Sequence, residues 1–347
     1  MKKFKTITGI ALVALLGFTS CQSEVNEVDG QNPNTNSANS TATTNFKRTA
    51  MFDGSVDDMI DGTSCSTIVL PAVATVNGVR VSLFSQLDYQ QVISILAQSN
   101  TNQDTVVLQF PLKVKTSNYT EVVVNSQTEY NAIVNGCTSA ESSGQNAISS
   151  VKITFPMTIL TYNTTFQQTG SLVFTSNQEL FAYMNTVSST ELYSVQYPLS
   201  LTIIDGSKTT VASDAEFQAA ITASLKTKAT IAAAVQSAKQ METILVNGTF
   251  KVQSYVNAGV DSANTYKDFT IDFANDMSIK VFNGLTTAAN GTYAASSQTD
   301  VFLKLTFSGN ASFNLLNNTW KVTSFNATSI NLQSSTNAAV TLVLRQI

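Results

Sequence analysis

The sequence predicts an α+β protein: four ββα repeat units followed by a small antiparallel eight-stranded β-barrel. Three observations carry this. Four prolines (Pro71, Pro111, Pro156 and Pro198) recur about 42 residues apart, each behind a bulky residue that ends a short alternating run. A Ser-x-x-acid quartet follows each proline in the same phase. From Ile244 onward the pattern changes to short alternating runs broken by turn residues.

The chain opens as an export signal. Lys2, Lys3 and Lys5 precede an apolar run, Ile7 to Phe18, that is too short to remain as a membrane span. Phe18-Thr19-Ser20-Cys21 resembles the lipobox of bacterial lipoproteins. That resemblance implies cleavage before Cys21, lipid on its thiol, and a protein held to the cell envelope at the outer membrane, on its periplasmic or cell-surface face. Several acyl chains, at about 0.8 kcal/mol per buried methylene, make such an anchor effectively permanent. The alternative is an ordinary signal peptide with an incidental cysteine. Residues 22–46 are rich in Asn, Ser and Thr and lack apolar periodicity, so they are expected to form a disordered tether with a span of roughly 25 to 30 Å.

Residues 47–225 hold the four expected units, at about 64–100, 104–138, 148–188 and 192–225. The quartets are Ser85 with Asp88, Ser126 with Glu129, Ser176 with Glu179, and Ser213 with Glu216. In a capping box the Ser oxygen takes a free backbone N–H at the helix start and the acid reaches back, so the acids have structural duties. Tyr89, Val92, Ile93 and Leu96 then recur at helical spacing, and Asn77-Gly78 and Asp205-Gly206 read as hairpin turns. Residues 226–243 continue in good helix formers as a helical connector.

Residues 244–347 carry eight short alternating runs, which suits a small barrel. Gly248-Thr249-Phe250, the later Gly291-Thr292-Tyr293, Trp320 and Arg345 resemble the pattern of the lipocalin-like domains of exported Bacteroidota proteins. The resemblance implies that Phe250, Trp320 and Arg345 close the barrel base, with the arginine packed across the first-strand aromatic. Phe269, Phe273, Phe302, Leu305, Phe307 and Phe313 are expected to face inward, and their bulk favours a filled barrel over one holding a small apolar ligand.

Histidine is absent, which excludes a Ser-His-Asp triad, a Cys-His pair and every His-containing zinc site. Beyond Cys21 only Cys65 and Cys137 remain, and in an oxidising compartment such a pair is expected to form a disulfide, with two separate buried thiols as the alternative. A bridge would clamp the first two units as a pair and hints at a two-plus-two arrangement. Net charge is -4 without a basic patch, so no nucleic-acid partner is expected. Asp53, Asp57, Asp58 and Asp61 cluster before the first unit; their spacing fits no EF-hand loop, and a short helix with a solvated acidic face explains them as well as calcium does. No catalytic residue, metal ligand or cofactor is therefore assigned. The expected function is non-enzymatic binding or scaffolding, with the membrane as one partner and a protein or glycan as another. The rivals are a carrier of a small apolar ligand in the barrel and a carbohydrate-active enzyme using paired carboxylates.

Overall fold

The computed structural model describes residue 32 and residues 34–96 and 104–347. The signal stretch, Cys21 and the first part of the expected tether lie outside the described residues. Order begins well before Phe46. Strand β1 (Thr35–Asn36) and helix α1 (Thr41–Thr49, capped by Ser40) are both folded. Apolar periodicity missed them because polar partners hold them: Thr43 Oγ1 meets the Tyr193 hydroxyl at 2.7 Å, and Asn36 Nδ2 donates to Asp214 Oδ2 at 2.7 Å. Phe46, 0% exposed, stacks on Phe217 with ring centroids 4.3 Å apart.

Next come a 3-10 turn (Ser55–Asp57) and a one-turn helix α2 (Asp58–Asp61). Four segments follow, each running strand, X-Pro bond, strand, hairpin, strand, helix. The first holds β2 (Ser66–Val69), β3 (Ala72–Val76), β4 (Val79–Leu83) and α3 (Tyr89–Leu96). The second holds β5 (Val106–Leu108), β6 (Leu112–Thr116), β7 (Glu121–Val124) and α4 (Gln127–Ser142). The third holds β8 (Val151–Ile153), β9 (Met157–Tyr162), β10 (Gln168–Phe174) and α5 (Asn177–Thr186). The fourth holds β11 (Leu192–Val195), β12 (Leu199–Ile203), β13 (Lys208–Val211) and α6 (Asp214–Val246). All four X-Pro bonds are cis.

Each segment thus has three strands where the sequence pattern suggests two, and the extra strand changes the architecture. The strand before each proline leaves its own hairpin and pairs with its neighbour's. β2 pairs with β6 while β5 pairs with β3, and β8 pairs with β12 while β11 pairs with β9. Two reciprocally exchanged pairs result, with separate apolar cores. One core centres on Ile68, Val76, Val92 and Tyr130, the other on Phe46, Ile159, Leu180 and Phe217. The serine quartets cap as expected. In the last three, the serine oxygen accepts from the acid's own N–H at 3.2 to 3.3 Å, and the carboxylate accepts from the residue before the cap (Asn125, Thr175, Ala212).

Helix α6 runs unbroken for 33 residues, about 50 Å at 1.5 Å per residue. Phe217 and Ile221 enter the second pair's core, whereas Ala238, Met241 and Leu245 enter the barrel core, so one helix spans both. Among the described residues no helix is long and apolar enough to cross a membrane.

The barrel is closed, antiparallel and eight-stranded. It comprises β14 (Thr249–Asn257), β16 (Phe269–Phe273), β17 (Ser278–Asn283), β18 (Thr286–Ser297), β19 (Val301–Ser308), β20 (Asn318–Asn326), β21 (Ser329–Ser334) and β22 (Thr341–Gln346); a two-residue β15 (Val260–Asp261) folds back on the end of β14. Closure is by β14 against β22, with Phe250 opposite Gln346 and Lys251 opposite Arg345. Strand alternation sends Val301, Leu303, Leu305 and Phe307 inward and leaves Phe302 on the outer face, contrary to the expectation for Phe302.

Candidate functional site

One aromatic-rich interior, that of the barrel, and one cleft are the places where ligand chemistry could occur. The barrel interior is occupied by side chains. Rings of Tyr255, Tyr266 and Phe313 form a chain of edge-to-face contacts at 5.2 to 6.1 Å, and Phe250, Phe273 and Tyr293 form a second at 5.4 to 5.7 Å. Trp320 is 0% exposed and its Nε1 donates to the Leu316 carbonyl at 3.0 Å. Phe250 and Trp320 therefore sit in the barrel core. Arg345 does not clamp Phe250. Opposite residues share a face, so Arg345 points outward with Lys251 while Phe250 points inward, and Arg345 is exposed.

Cys65 and Cys137 form the disulfide, with Cα atoms 5.9 Å apart. It ties the start of β2 to α4, clamping the two exchanged segments of the first pair.

The acidic cluster is a solvated face only in part: Asp58 is exposed and Asp53 half-buried, whereas the other two turn inward. Asp57 is 0% and Asp61 7% exposed, because both turn back onto β2. Asp57 Oδ2 accepts from the Ile68 N–H at 2.7 Å, and Oδ1 has no partner. Asp61 accepts from the Thr63 N–H at 3.0 Å and the Ser66 hydroxyl at 3.3 Å. Gly54 permits this close approach, since a Cβ there would lie 2.2 Å from the Ser66 carbonyl oxygen. Burial raises Asp57 to about 6 and Asp61 to about 7, with the neighbouring carboxylates pushing the same way. Among the described residues no group of three or more His, Cys, Asp or Glu could hold a metal ion.

Between the two segment pairs lies a cleft with three lobes of about 490, 390 and 220 Å³, all touching Ser149. One wall is the stretch after α1 (Met51, Phe52, Asp53, Ser55) together with Tyr119 from the β6–β7 hairpin; the other includes Ala147, Val151, Lys152 and Asn177. Tyr119 fastens the pairs together. Its hydroxyl donates to the Ala50 carbonyl at 2.8 Å, and its ring lies 5.7 Å from Phe52 and 5.6 Å from Phe181. It does so at φ +68°, a conformation a bulky residue rarely adopts. Lys115 Nζ stands 4.5 Å over the Phe52 ring, and the Phe52 N–H donates to the Ser117 carbonyl at 2.9 Å.

Two residues that line the largest of these lobes each hold a shielded polar atom without a partner. Thr49, at the end of α1, is 5% exposed and its Oγ1 makes no hydrogen bond; Asn177, the first residue of α5, has an unpartnered buried Oδ1. In the second lobe the charges are opposed: Asp53 and Asp58 come from the first pair's side, Lys152 and Lys228 from the other. Lys228 Nζ donates to the Ser149 hydroxyl at 2.9 Å.

Sequence patterns missed this cleft. Thr49 follows the stretch read as tether, Asn177 occupies an unspecified position of a capping quartet, and Tyr119 reaches the cleft only through a hairpin conformation that its own identity does not favour. Comparison with known proteins found no matching family model, no similar curated protein and no similar solved structure.

Proposed function

We propose that the chain is a lipid-anchored lipoprotein of the cell envelope, attached at the outer membrane through Cys21, that binds a partner non-covalently in the cleft between its two segment pairs. The four proline-marked segments are read as copies of one unit, and the barrel as a lipocalin-like domain with a structural role. The observation that carries the binding reading is the cleft itself, whose largest lobe of about 490 Å³ sets the apolar surface of Phe52, Tyr119, Ile148 and Val151 beside Asp53 and Lys152. A concave space of several hundred Å³ with apolar walls and a few polar groups is the usual form of a small-ligand site.

The carrier reading is disfavoured by the rings that occupy the barrel interior. The reading as a carbohydrate-active enzyme needs two carboxylates opposed across a groove. Here Asp53 and Asp58 share one side of the cleft and face lysines, and Asp57 and Asp61 are buried behind them.

The test uses the protein from residue 22 onward and its Ala147→Trp variant, which fills the space shared by two lobes. A fragment library is screened by ligand-observed NMR. Binders to the parent that the variant loses support the cleft; binders that both proteins hold equally would reject it. Metabolic labelling with palmitate, expected for the full chain and lost in Cys21→Ala, tests the anchor separately.

A further inference from the structure

We infer that the open edge of β10 pairs with the same edge of a second copy of this chain, antiparallel and about a two-fold axis, so that two four-stranded sheets join into one. The inference is independent of the cleft.

The third strand of every segment ends its sheet, so β4, β7, β10 and β13 each present one unpaired side. Such a side is a ready template for another strand, and proteins usually protect it by keeping it short or by placing charge on it. Three of the four are protected in this way. Arg80 stands in β4, Glu121 in β7 and Lys208 in β13, and these strands are four or five residues long. β10 is neither charged nor short. Its seven residues make it the longest strand of the four segments, and no charged residue occurs between Lys152 and Glu179. The other edge of the same sheet already carries an added strand, since the N-terminal β1 pairs there with β11.

The backbone groups of β10 are set for such an addition. The Gln196 N–H donates to the Thr158 carbonyl at 2.9 Å, so the bonding groups of Thr158 face β11 and, by alternation, those of Ile159 face β10. Ile159 stands opposite Leu172. Leu172 is therefore bonded to β9, while the N–H and C=O of Ser171 and Val173 point to the open side. Both residues are exposed, Val173 at 62%, and no strand pairs with that side.

A two-fold axis through Leu172 satisfies these groups. Ser171 then stands opposite the partner's Val173, and Val173 opposite the partner's Ser171, each as a hydrogen-bonded pair. Leu172, 40% exposed, meets the partner's Leu172 on the face that also carries Phe174, and covering that pair adds apolar burial to the backbone bonds. A two-fold also brings each charge on an edge close to its own copy, which sets β4, β7 and β13 against themselves. β10 meets no such repulsion. An unrelated strand would need a sequence matched to this edge, whereas a second copy carries one by symmetry.

Sedimentation velocity of the protein from residue 22 onward, from about 1 to about 300 µM, is expected to show a monomer–dimer equilibrium with a Kd of micromolar order. Val173→Pro removes an N–H that faces the open side and leaves the β9 ladder intact, and Val173→Lys supplies the charge that the other edges carry. Each should weaken the dimer by about tenfold or more, with thermal melting at low concentration unchanged; the lysine variant carries the test should the proline variant fail to fold. Cysteines read the register. Across the axis the two Leu172 positions have Cα atoms about 4.5 Å apart, within disulfide reach, so Leu172→Cys should cross-link on mild oxidation faster than Val173→Cys. A protein monomeric across that range, a dimer that both variants leave unchanged, or cysteines that cross-link equally or in the opposite order overturns the proposal. A parent that stays monomeric but binds a synthetic peptide of residues 168–174, with that binding lost in Val173→Pro, would give the edge to a foreign strand and reject the second copy.

Discussion

Raising the pH from 5 to 8 should destabilise the first segment pair, and Asp61→Asn should remove most of that sensitivity. Asp57 and Asp61 hold their protons in the folded protein to about pH 6 and about pH 7, against 3.8 for an ordinary aspartate. The folded state therefore binds protons that the unfolded chain has already released. Stability is greatest below pH 4 from this source and is lost as pH rises through 6 and 7. The distances from 3.8 to about 6 and to about 7, at about 1.4 kcal/mol per pH unit, set upper limits of about 3 and 4 kcal/mol. The two carboxylates raise each other, so the limits do not add, and a net loss of about 2 to 4 kcal/mol between pH 5 and 8 is the expectation. In Asp61→Asn the amide oxygen still accepts from the Thr63 N–H and the Ser66 hydroxyl can accept from the new NH2, while one titration disappears. The assay is hydrogen exchange across residues 53–69, with urea unfolding at each pH; Trp320 fluorescence serves as a control, since it reports the barrel. A parent protein whose first pair is as stable at pH 8 as at pH 5, or an Asp61→Asn variant that keeps the parent's slope, would refute the reasoning.

The other expectations concern individual contacts. Replacing Cys65 and Cys137 by Ser removes a link between residues 72 apart in sequence and should cost about 4 kcal/mol on the loop-closure model, measured by urea unfolding of the first pair. Four hairpins share one hydrogen-bonding pattern, in which Tyr119, Phe166, Gly206 and Met277 take the positive-φ position. Phe166→Gly should therefore stabilise by about 1 kcal/mol, because Phe166 is 41% exposed and only its backbone conformation is at issue. Tyr119→Gly should instead destabilise, through loss of the hydrogen bond to Ala50 and the packing on Phe181, and thermal melts of the two variants would move in opposite directions. Trp320→Ala should cost about 3 to 5 kcal/mol in the barrel, as expected when a fully buried large side chain leaves a cavity.

Local rules made much of this fold legible. Serine, acid and proline phases located four helix starts and four strand junctions because capping and proline geometry act over a few residues. Alternation located the barrel strands for the same reason. What depends on which strand pairs with which was illegible: β2 and β5 look like ordinary first strands, and nothing within either reveals that it pairs with the neighbouring segment. The acidic cluster failed differently. Four aspartates in nine residues read as surface, yet Gly54 lets the chain lie so close to β2 that Asp57 and Asp61 become interior groups. Arg345 shows the limit of carrying a role over by resemblance, since the β14–β22 register, which the motif does not encode, decides the face on which the arginine lies.

Strand exchange also determines the smallest piece that can fold. In the first pair, each three-stranded sheet takes two strands from one segment and one from the other: β4-β3-β5 and β2-β6-β7. A chain of residues 50–103 would keep β2, β3 and β4, leave β3 without its outer partner and give β2 nothing to pair with. It would also lose Leu108, Leu112, Val114, Val124 and Tyr130 from the shared core. Buried strands cannot leave their N–H and C=O groups unpaired, so this piece should be disordered. Residues 50–146 keep both sheets, the Cys65–Cys137 link and the whole core, and at roughly 100 residues reach an ordinary domain size. That fragment should show dispersed amide resonances and a cooperative urea transition, and residues 50–103 should show neither. A folded 50–103 fragment would mean that each segment pairs its own strands when alone, and that the exchange is imposed by the neighbouring segment and is not required by the sheets themselves.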